Sequence, residues 1–414
     1  MRRPVTAVLA LLATGSLVLA GCTNTGSQTP GKSRDSVQSS GSSAPSETTT
    51  TTPAVPPVAM TASVANSATK VPVDTTVTVT ASGGTLDTVA MSYIDRKTAK
   101  AVTVAGTLSD DKATWTAGDL LEPGVTYTVA MTGANTDGAP SSTKSTFSTQ
   151  PLTNAEQIYP TLLPEDGATV GVGMPIVALF DLPVPDRAAF EKKMTVTTTP
   201  AVPGSWYWIS SQEAHWRPQK YWTPGTKVSV DLALNGVRTG KAMFGELSRK
   251  ASFTIGSATT AKINLKTHQL TLFRGGAAVR TFPITGGKPA SPTRSGIKVV
   301  MLKRSNFEMR AESLGLKKGD AEYYQPVHVA YALQVTASGE YLHSAPWSVG
   351  SQGYANVSHG CVGMSVSNSL WLYNNMKVGD VVEVTGSSRY MTMGNGYADW
   401  NMPWAQWQKG SALS

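Results

Sequence analysis

Two of the chain's five histidines lie close to one of its two cysteines. Cys361 follows His359 by two residues and His343 by eighteen, with glycines nearby at Gly360 and Gly363. This grouping has the parts of a thiol nucleophile. The reacting species is the thiolate, and an imidazole must take the proton and hold it. Glycine allows the tight turn that aims backbone N–H groups at an oxyanion. The competing reading is structural, because a lone free cysteine often behaves as a small buried hydrophobe. The polar, turn-like run Ser358-His359-Gly360-Cys361 argues against it. So does export, since an idle thiol is a liability in an oxidising compartment.

Rigid elements must hold these groups. Glu340-Tyr341-Leu342 reads as a strand with His343 directly after it, a firm place for a base. The apolar run 329–335 reads as another strand. Lys262-Ile263-Asn264-Leu265, the run 269–273, the Gly275-Gly276 turn and the run 279–282 read as a strand and hairpin. Ile284-Thr285-Gly286-Gly287 ends a strand, and Val299-Val300-Met301-Leu302 reads as one more. Residues 303–327 read as a long charged loop, either a lid or a solvated insertion. Beyond Cys361, residues 365–368 cap a helix with Val366, Leu370 and Tyr373 on one stripe, ending near Lys377-Val378-Gly379. A helix N-terminus aimed at Cys361 stabilises a thiolate. Val381-Val382-Glu383-Val384 is the last strand. In the tail, 386–414, Trp400, Trp404 and Trp407 share a helical stripe after Asp399 and are expected to pack back on the domain at 257–385.

Ahead of that domain the chain reads as all-β. Residues 56–150 alternate as strands, with turn signals such as Gly83-Gly84 and Pro123-Gly124. Residues 151–256 repeat the pattern. Trp115 leads to Pro123-Gly124 at the spacing by which Trp216 leads to Pro224-Gly225, and Ala68-Thr69 matches Ala168-Thr169. The expectation is two tandem immunoglobulin-like β-sandwich domains. Trp206, Trp208, Trp216 and Trp222 are expected in cores and domain contacts, since indoles bury well. These domains would act as a semi-rigid spacer.

The first residues read as an export leader. Arg2 and Arg3 precede a short apolar run, 5–20, that ends Leu19-Ala20-Gly21-Cys22. This ending resembles a bacterial lipobox, which implies a signal peptide over 1–21 and lipid attachment at Cys22; a plain cleaved signal is the alternative. The Ser/Thr-rich stretch 22–55 lacks apolar residues to bury and reads as a disordered tether. The expected location is the outer face of the cell membrane. The net charge of +8 carries no Lys/Arg block, so nucleic acid is not an expected partner. A mild positive excess suits an anionic wall polymer or membrane surface.

His343-Ser344 followed by Ser358-His359-Gly360-Cys361 resembles the signature of the L,D-transpeptidases of bacterial walls. The likeness runs from about Lys262 to Trp407 and takes in the run 343–350 and Asp399-Trp400-Asn401. Lipobox, tether, two immunoglobulin-like domains and aromatic tail together resemble the actinobacterial members. The resemblance implies a mainly β chain ending in a β-rich catalytic domain with one or two helices and a C-terminal aromatic tail. It implies that Cys361 attacks a peptidoglycan stem peptide, releases D-alanine, and passes the acyl group to an amine of a second stem as a 3→3 cross-link. It assigns His343 as the base, the Ser344 carbonyl as its orienting group, His359 as a support, and N–H groups near Gly360 and Cys361 as the oxyanion hole. Tyr324, Ser338, Gly339, Ser358 and Gly363 match substrate-lining positions, with Gln325 the alternative to Tyr324. Carbapenem-type β-lactams are the implied covalent inhibitors, and no metal or other cofactor is called for. The chain departs from the family in three places. Gly363 stands where Asn or Arg is frequent, Arg294 stands where small residues are common, and 303–327 does not match well. The other readings are a cysteine peptidase that cuts stem peptides, in which the cysteine ordinarily precedes the histidine, and a wall-binding scaffold with a decayed site.

Overall fold

The computed structural model describes residues 55–414. The leader, Cys22 and the tether as far as residue 54 lie outside the described residues. The described chain is mainly β, with immunoglobulin-like sandwiches ahead of a C-terminal fold built on two sheets.

The first sandwich pairs a four-stranded sheet with a five-stranded one, and the second pairs two four-stranded sheets. The repeat seen in the sequence has a physical basis. Trp115 lies over Gly106 of the adjacent strand, where an added Cβ would come within 2.1 Å of the indole. Trp216 lies over Gly204 in the same way, at 2.0 Å. Each glycine pairs with the residue two beyond its tryptophan, Ala117 and Pro218 respectively. Only a residue without a Cβ leaves room for the ring. In both sandwiches an early short strand also runs parallel to the last one, Ala68 opposite Phe147 and Thr169 opposite Thr254.

The C-terminal fold has a five-stranded sheet of 277–283, 269–274, 259–264, 381–385 and 296–299, in that spatial order. Its second sheet orders Leu302–Met309, Val327–Gln334, Tyr341–Ser344 and Val362–Met364. One apolar core lies between them, including Leu270, Leu272, Val300, Leu333, Leu342, Val362 and Leu372.

Four expectations need correction. The apolar run 299–302 is two strands, not one. Gly296–Val299 belongs to the first sheet and Leu302–Met309 to the second. Val300 and Met301 make the crossing, their N–H groups donating to Asp380 and to Gln334. The run reads as one strand because it is continuously apolar, but its residues part company: Val300 enters the core between the sheets, Val299 packs toward the second sandwich and Leu302 is exposed. Next, the supposed loop 303–327 is strand over its first third and pairs along 327–334. Lysine and arginine on this sheet edge hide the strand pattern, as charged edges do. The helix is Val366–Asn375, capped by Ser365, but its buried residues are Ser369 and Leu372. Val366 and Leu370 face solvent at 41% and 39% exposure. Small Ser369 lets the helix approach the sheet, donating to the Tyr331 carbonyl at 3.2 Å. Last, the tail does more than pack on these two sheets. Asn401 bonds both backbone groups of Ile297 there, but the tryptophans clamp the second sandwich. Trp407 stacks on Tyr207 and donates to Ser205, and Trp400 donates to Gly173.

That clamp encloses charge. Arg217 of the second sandwich is buried with its guanidinium 4.4 Å from the Trp407 ring centre and 4.9 Å from that of Trp400. Beside it, fully buried His215 bonds Asp399 of the tail at 2.9 Å and Glu213 at 2.8 Å. Burial alone pushes the imidazole pKa down, but the two carboxylates outweigh it and raise it from 6.5 to about 9. A raised folded-state pKa contributes stability that is complete below 6.5 and is lost as pH climbs through about 9. The melting temperature of the wild type should therefore fall across that window, and His215→Gln should remove that part of the slope. Identical pH profiles for the two proteins would refute this role for the buried ion group.

Candidate active site

The site is built where strand Tyr341–Ser344 runs parallel to Val362–Met364, with His343 opposite Gly363 and Leu342 opposite Val362. His343 is inside its strand rather than after it. Two residues along and one strand across place the backbones of His343 and Cys361 about 8 Å apart. Both side chains line one open cleft of about 660 Å³.

The resting hydrogen bonds set the protonation states. The His343 Nδ1 lies 2.8 Å from the Ser344 carbonyl. A carbonyl only accepts, so Nδ1 carries the proton and Nε2 keeps its lone pair. Burial pushes the imidazole pKa down and the Ser344 contact only partly offsets it, so the ring is neutral. The sulfur accepts the Tyr341 N–H at 3.4 Å and donates to the Gly339 carbonyl at 3.6 Å. Burial pushes the thiol up to about 12. At rest the pair is therefore thiol and neutral imidazole, with no direct hydrogen bond between ring and sulfur among the described residues. The expected helix-dipole assistance fails on distance. The strand Val362–Met364 stands between Cys361 and the helix, and the dipole's effect fades within one turn.

Ser358 holds the turn that carries the cysteine. Its hydroxyl donates to the Cys361 carbonyl at 2.6 Å and accepts the Gly360 N–H at 3.1 Å. The Gly360 N–H is thus occupied, whereas the Cys361 N–H meets no protein acceptor among the described residues. The Ser344 hydroxyl accepts the Ala330 N–H at 2.8 Å, locking the His343 strand to its neighbour. The Ser338 N–H donates to Asn395 of the tail. His359 is half-exposed, 5.4 Å centre to centre from the Tyr324 ring, and 3.4 Å from Lys288 Nζ. It belongs to the rim, with Lys288 and Glu322 paired at 3.0 Å beside it. The segment after residue 303 walls the cleft with Met309, Leu316, Tyr324, Gln325 and Val327.

Sequence reading missed the charges behind the sulfur. Buried Glu340 binds Arg294 at 2.8 Å on one oxygen and the equally buried Lys298 on the other. A signal was present: Lys298 interrupts the apolar run 297–300, and a buried charge demands a partner. Asn356 was also missed. It accepts the Gly286 N–H at 2.8 Å and donates to Leu265, fastening the loop before the cysteine to the first sheet.

Gly363 has a steric reason. An added Cβ would stand 2.9 Å from the Ala345 Cβ and 3.0 Å from the Thr285 methyl. Gly363→Ala should cost about 1–3 kcal/mol by overpacking, measured by urea unfolding; full wild-type stability would mean the strand moves freely. The raised thiol pKa gives a second test. The rate of Cys361 alkylation by iodoacetamide should climb about tenfold per pH unit from neutral pH to beyond 9. A plateau near neutrality would instead reveal a thiolate already formed in the free protein.

Two family models and several relatives match the chain. Residues 68–238 match the bacterial Ig domain family, and 258–384 match the L,D-transpeptidase catalytic domain family. The chain is 38% identical over 354 residues to L,D-transpeptidase 2 of Mycobacterium tuberculosis, covering 85% of each. It is 33% identical to L,D-transpeptidase 5 of the same organism, covering 75% of this chain and 68% of that one. A solved L,D-transpeptidase in complex with imipenem is 38% identical, spanning 54% of this chain and 97% of its own, with a TM-score of 0.48. With its immunoglobulin-like portion followed by a catalytic domain of this kind, the chain belongs to the L,D-transpeptidase family and is an acyltransferase.

Proposed function

We propose that this protein forms 3→3 cross-links in peptidoglycan through a thioester on Cys361. The observation that carries the reading is a cysteine on an open cleft whose wall also presents an imidazole with a fixed tautomer and a free Nε2. The substrate carbonyl is that between diaminopimelate and the terminal D-alanine of a donor stem. As the donor settles, the sulfur leaves the Gly339 carbonyl and gives its proton to His343 Nε2. The thiolate attacks, and the Cys361 N–H receives the oxyanion. Collapse expels D-alanine, whose nitrogen takes the proton back from His343. The side-chain amine of a second stem attacks the thioester, returns a proton through His343, and frees the thiol. The roles divide accordingly. Ser344 orients the ring, Ser358 and Gly360 shape the turn, and His359 with Tyr324 forms the rim above it. Ser338, Gly339 and Gly363 line the path of the donor chain.

The neutral resting pair fits this sequence of events. A thiol that ionises only beside its substrate is protected from casual oxidation. The same attack on a strained β-lactam carbonyl makes carbapenem-type compounds covalent inhibitors. Lipid attachment at Cys22 would hold the enzyme on the outer face of the membrane, within reach of nascent wall.

The test is product analysis with a tetrapeptide stem. The wild type should yield a dimer and free D-alanine, Cys361→Ala should yield neither, and His343→Gln should lose about 10²–10⁴-fold. Tripeptide without dimer would make the protein a carboxypeptidase, and neither product would favour a wall-binding scaffold.

A further inference from the structure

Glu340 belongs to the turn that grips the sulfur, because its two neighbours, Gly339 and Tyr341, supply both backbone contacts to it. One carboxylate oxygen accepts Arg294 Nη1 at 2.8 Å and the Arg294 N–H at 3.1 Å, and the other accepts Lys298. One carboxylate thus faces two basic side chains, so the group carries no surplus negative charge. Lys298 is 1% exposed and faces no solvent. Arg294 lines the cleft. A guanidinium has five N–H donors. Glu340 takes one, and among the described residues no protein acceptor takes the others. Arg389 lines the same cleft, and among the described residues its guanidinium makes one hydrogen bond, 3.5 Å to the Pro292 carbonyl. The other carboxylate on the cleft, Glu322, is already matched by Lys288 and by the Ser291 hydroxyl. The cleft therefore has a positive end with donors to spare.

That end is close to the chemistry. A Cβ added to Gly360 would lie 3.9 Å from Glu340 Oε1, the same oxygen that holds Arg294. The guanidinium is thus one ion pair away from the nucleophile's own turn. In a donor peptide the carboxylate of the leaving residue lies about 3.5 Å, one residue, beyond the attacked carbonyl.

We propose that Arg294 receives the free carboxylate of the leaving amino acid and makes the enzyme select donor stems that end in an acid. Glu340, itself fixed by Lys298 on its other oxygen, holds the guanidinium in place, so little freedom is lost when the carboxylate binds. The assignment rests on the acyl-transfer reading above and adds to it which end of the donor is recognised.

The experiment compares a tetrapeptide donor bearing a free carboxyl terminus with its C-terminal amide, reading release of the terminal amino acid. The wild type should favour the acid in kcat/KM by about 10- to 100-fold, the worth of a charge-assisted hydrogen bond. Arg294→Met should bring the ratio close to one. Arg294→Gln, which keeps a donor for Glu340, should do the same and serves if the methionine variant melts early. A wild type that uses acid and amide equally overturns the assignment but leaves acyl transfer standing, as does a folded variant that keeps the wild-type ratio. A wild type inert toward both peptides overturns the acyl-transfer reading, and this assignment with it.

Discussion

A sulfur atom held between the Gly339 carbonyl and the Tyr341 N–H, in a place dry enough to keep its proton, is the constraint the catalytic fold serves. A free thiolate there would have little solvation, so ionisation must wait for a partner that stabilises the charge. That requirement explains why His343 is buried and neutral rather than poised as a cation. It also explains why its tautomer is set by a main-chain carbonyl, which cannot titrate. His343 lies within its strand and Cys361 directly precedes the parallel neighbour Val362–Met364, so strand pairing and the turn held by Ser358 together fix their separation.

Burying charge next to such a sulfur needs close accounting. Glu340 near the thiol raises its pKa, and Lys298 lowers it. Lys298 itself is pulled down by burial and held up mainly by Glu340. Removing Glu340 would leave two cations unpaired in the interior, which costs more than the pairs contribute, whereas losing Arg294 leaves Glu340 paired with Lys298. The group therefore acts as a unit, and its geometry passes directly to the backbone that touches the sulfur.

Much of this was legible in the sequence where local pattern and final environment agree. The hairpin at 262–282 alternates, and its turn carries paired glycines, so its reading follows from two independent signals. The Ser-His-Gly-Cys run is dense in functional atoms and needs no long-range information to be noticed. The failures share another cause. The helix stripe of Val366 and Leu370 was read by hydrophobicity, but the sheet accepts the face with the smallest residue, Ser369. The edge strand at 302–309 was hidden because edge positions favour charge over alternation. Arg294, Lys298 and Glu340 lie up to 46 residues apart, and no periodicity joins them. Their meeting is a property of the sheet order, which places 296–299 beside 381–385 and brings the start of that strand under the turn at Glu340.

The second sandwich is also more than a spacer. Val299 and Val381 of the catalytic sheet are buried in the same cluster as Val172, Met174 and Trp222. The Gly171 and Gly173 N–H groups donate to Val378 and Gly379 at 2.8 Å, so backbone as well as side chains cross the joint. A catalytic domain cut free at this joint would expose that apolar surface and lose the partners of Trp400 and Asp399. The joint with the first sandwich differs, since Arg238 to Asp74 and Asn235 to Glu122 accompany Phe244 there. Apolar contact crosses that joint too, through Phe244 in the first sandwich's core and Leu120 against the second's, but it rests on few side chains, and the polar contacts around it exchange with water at small cost. Bending along the chain should therefore concentrate at the first joint, while the second sandwich and the active site move as one body.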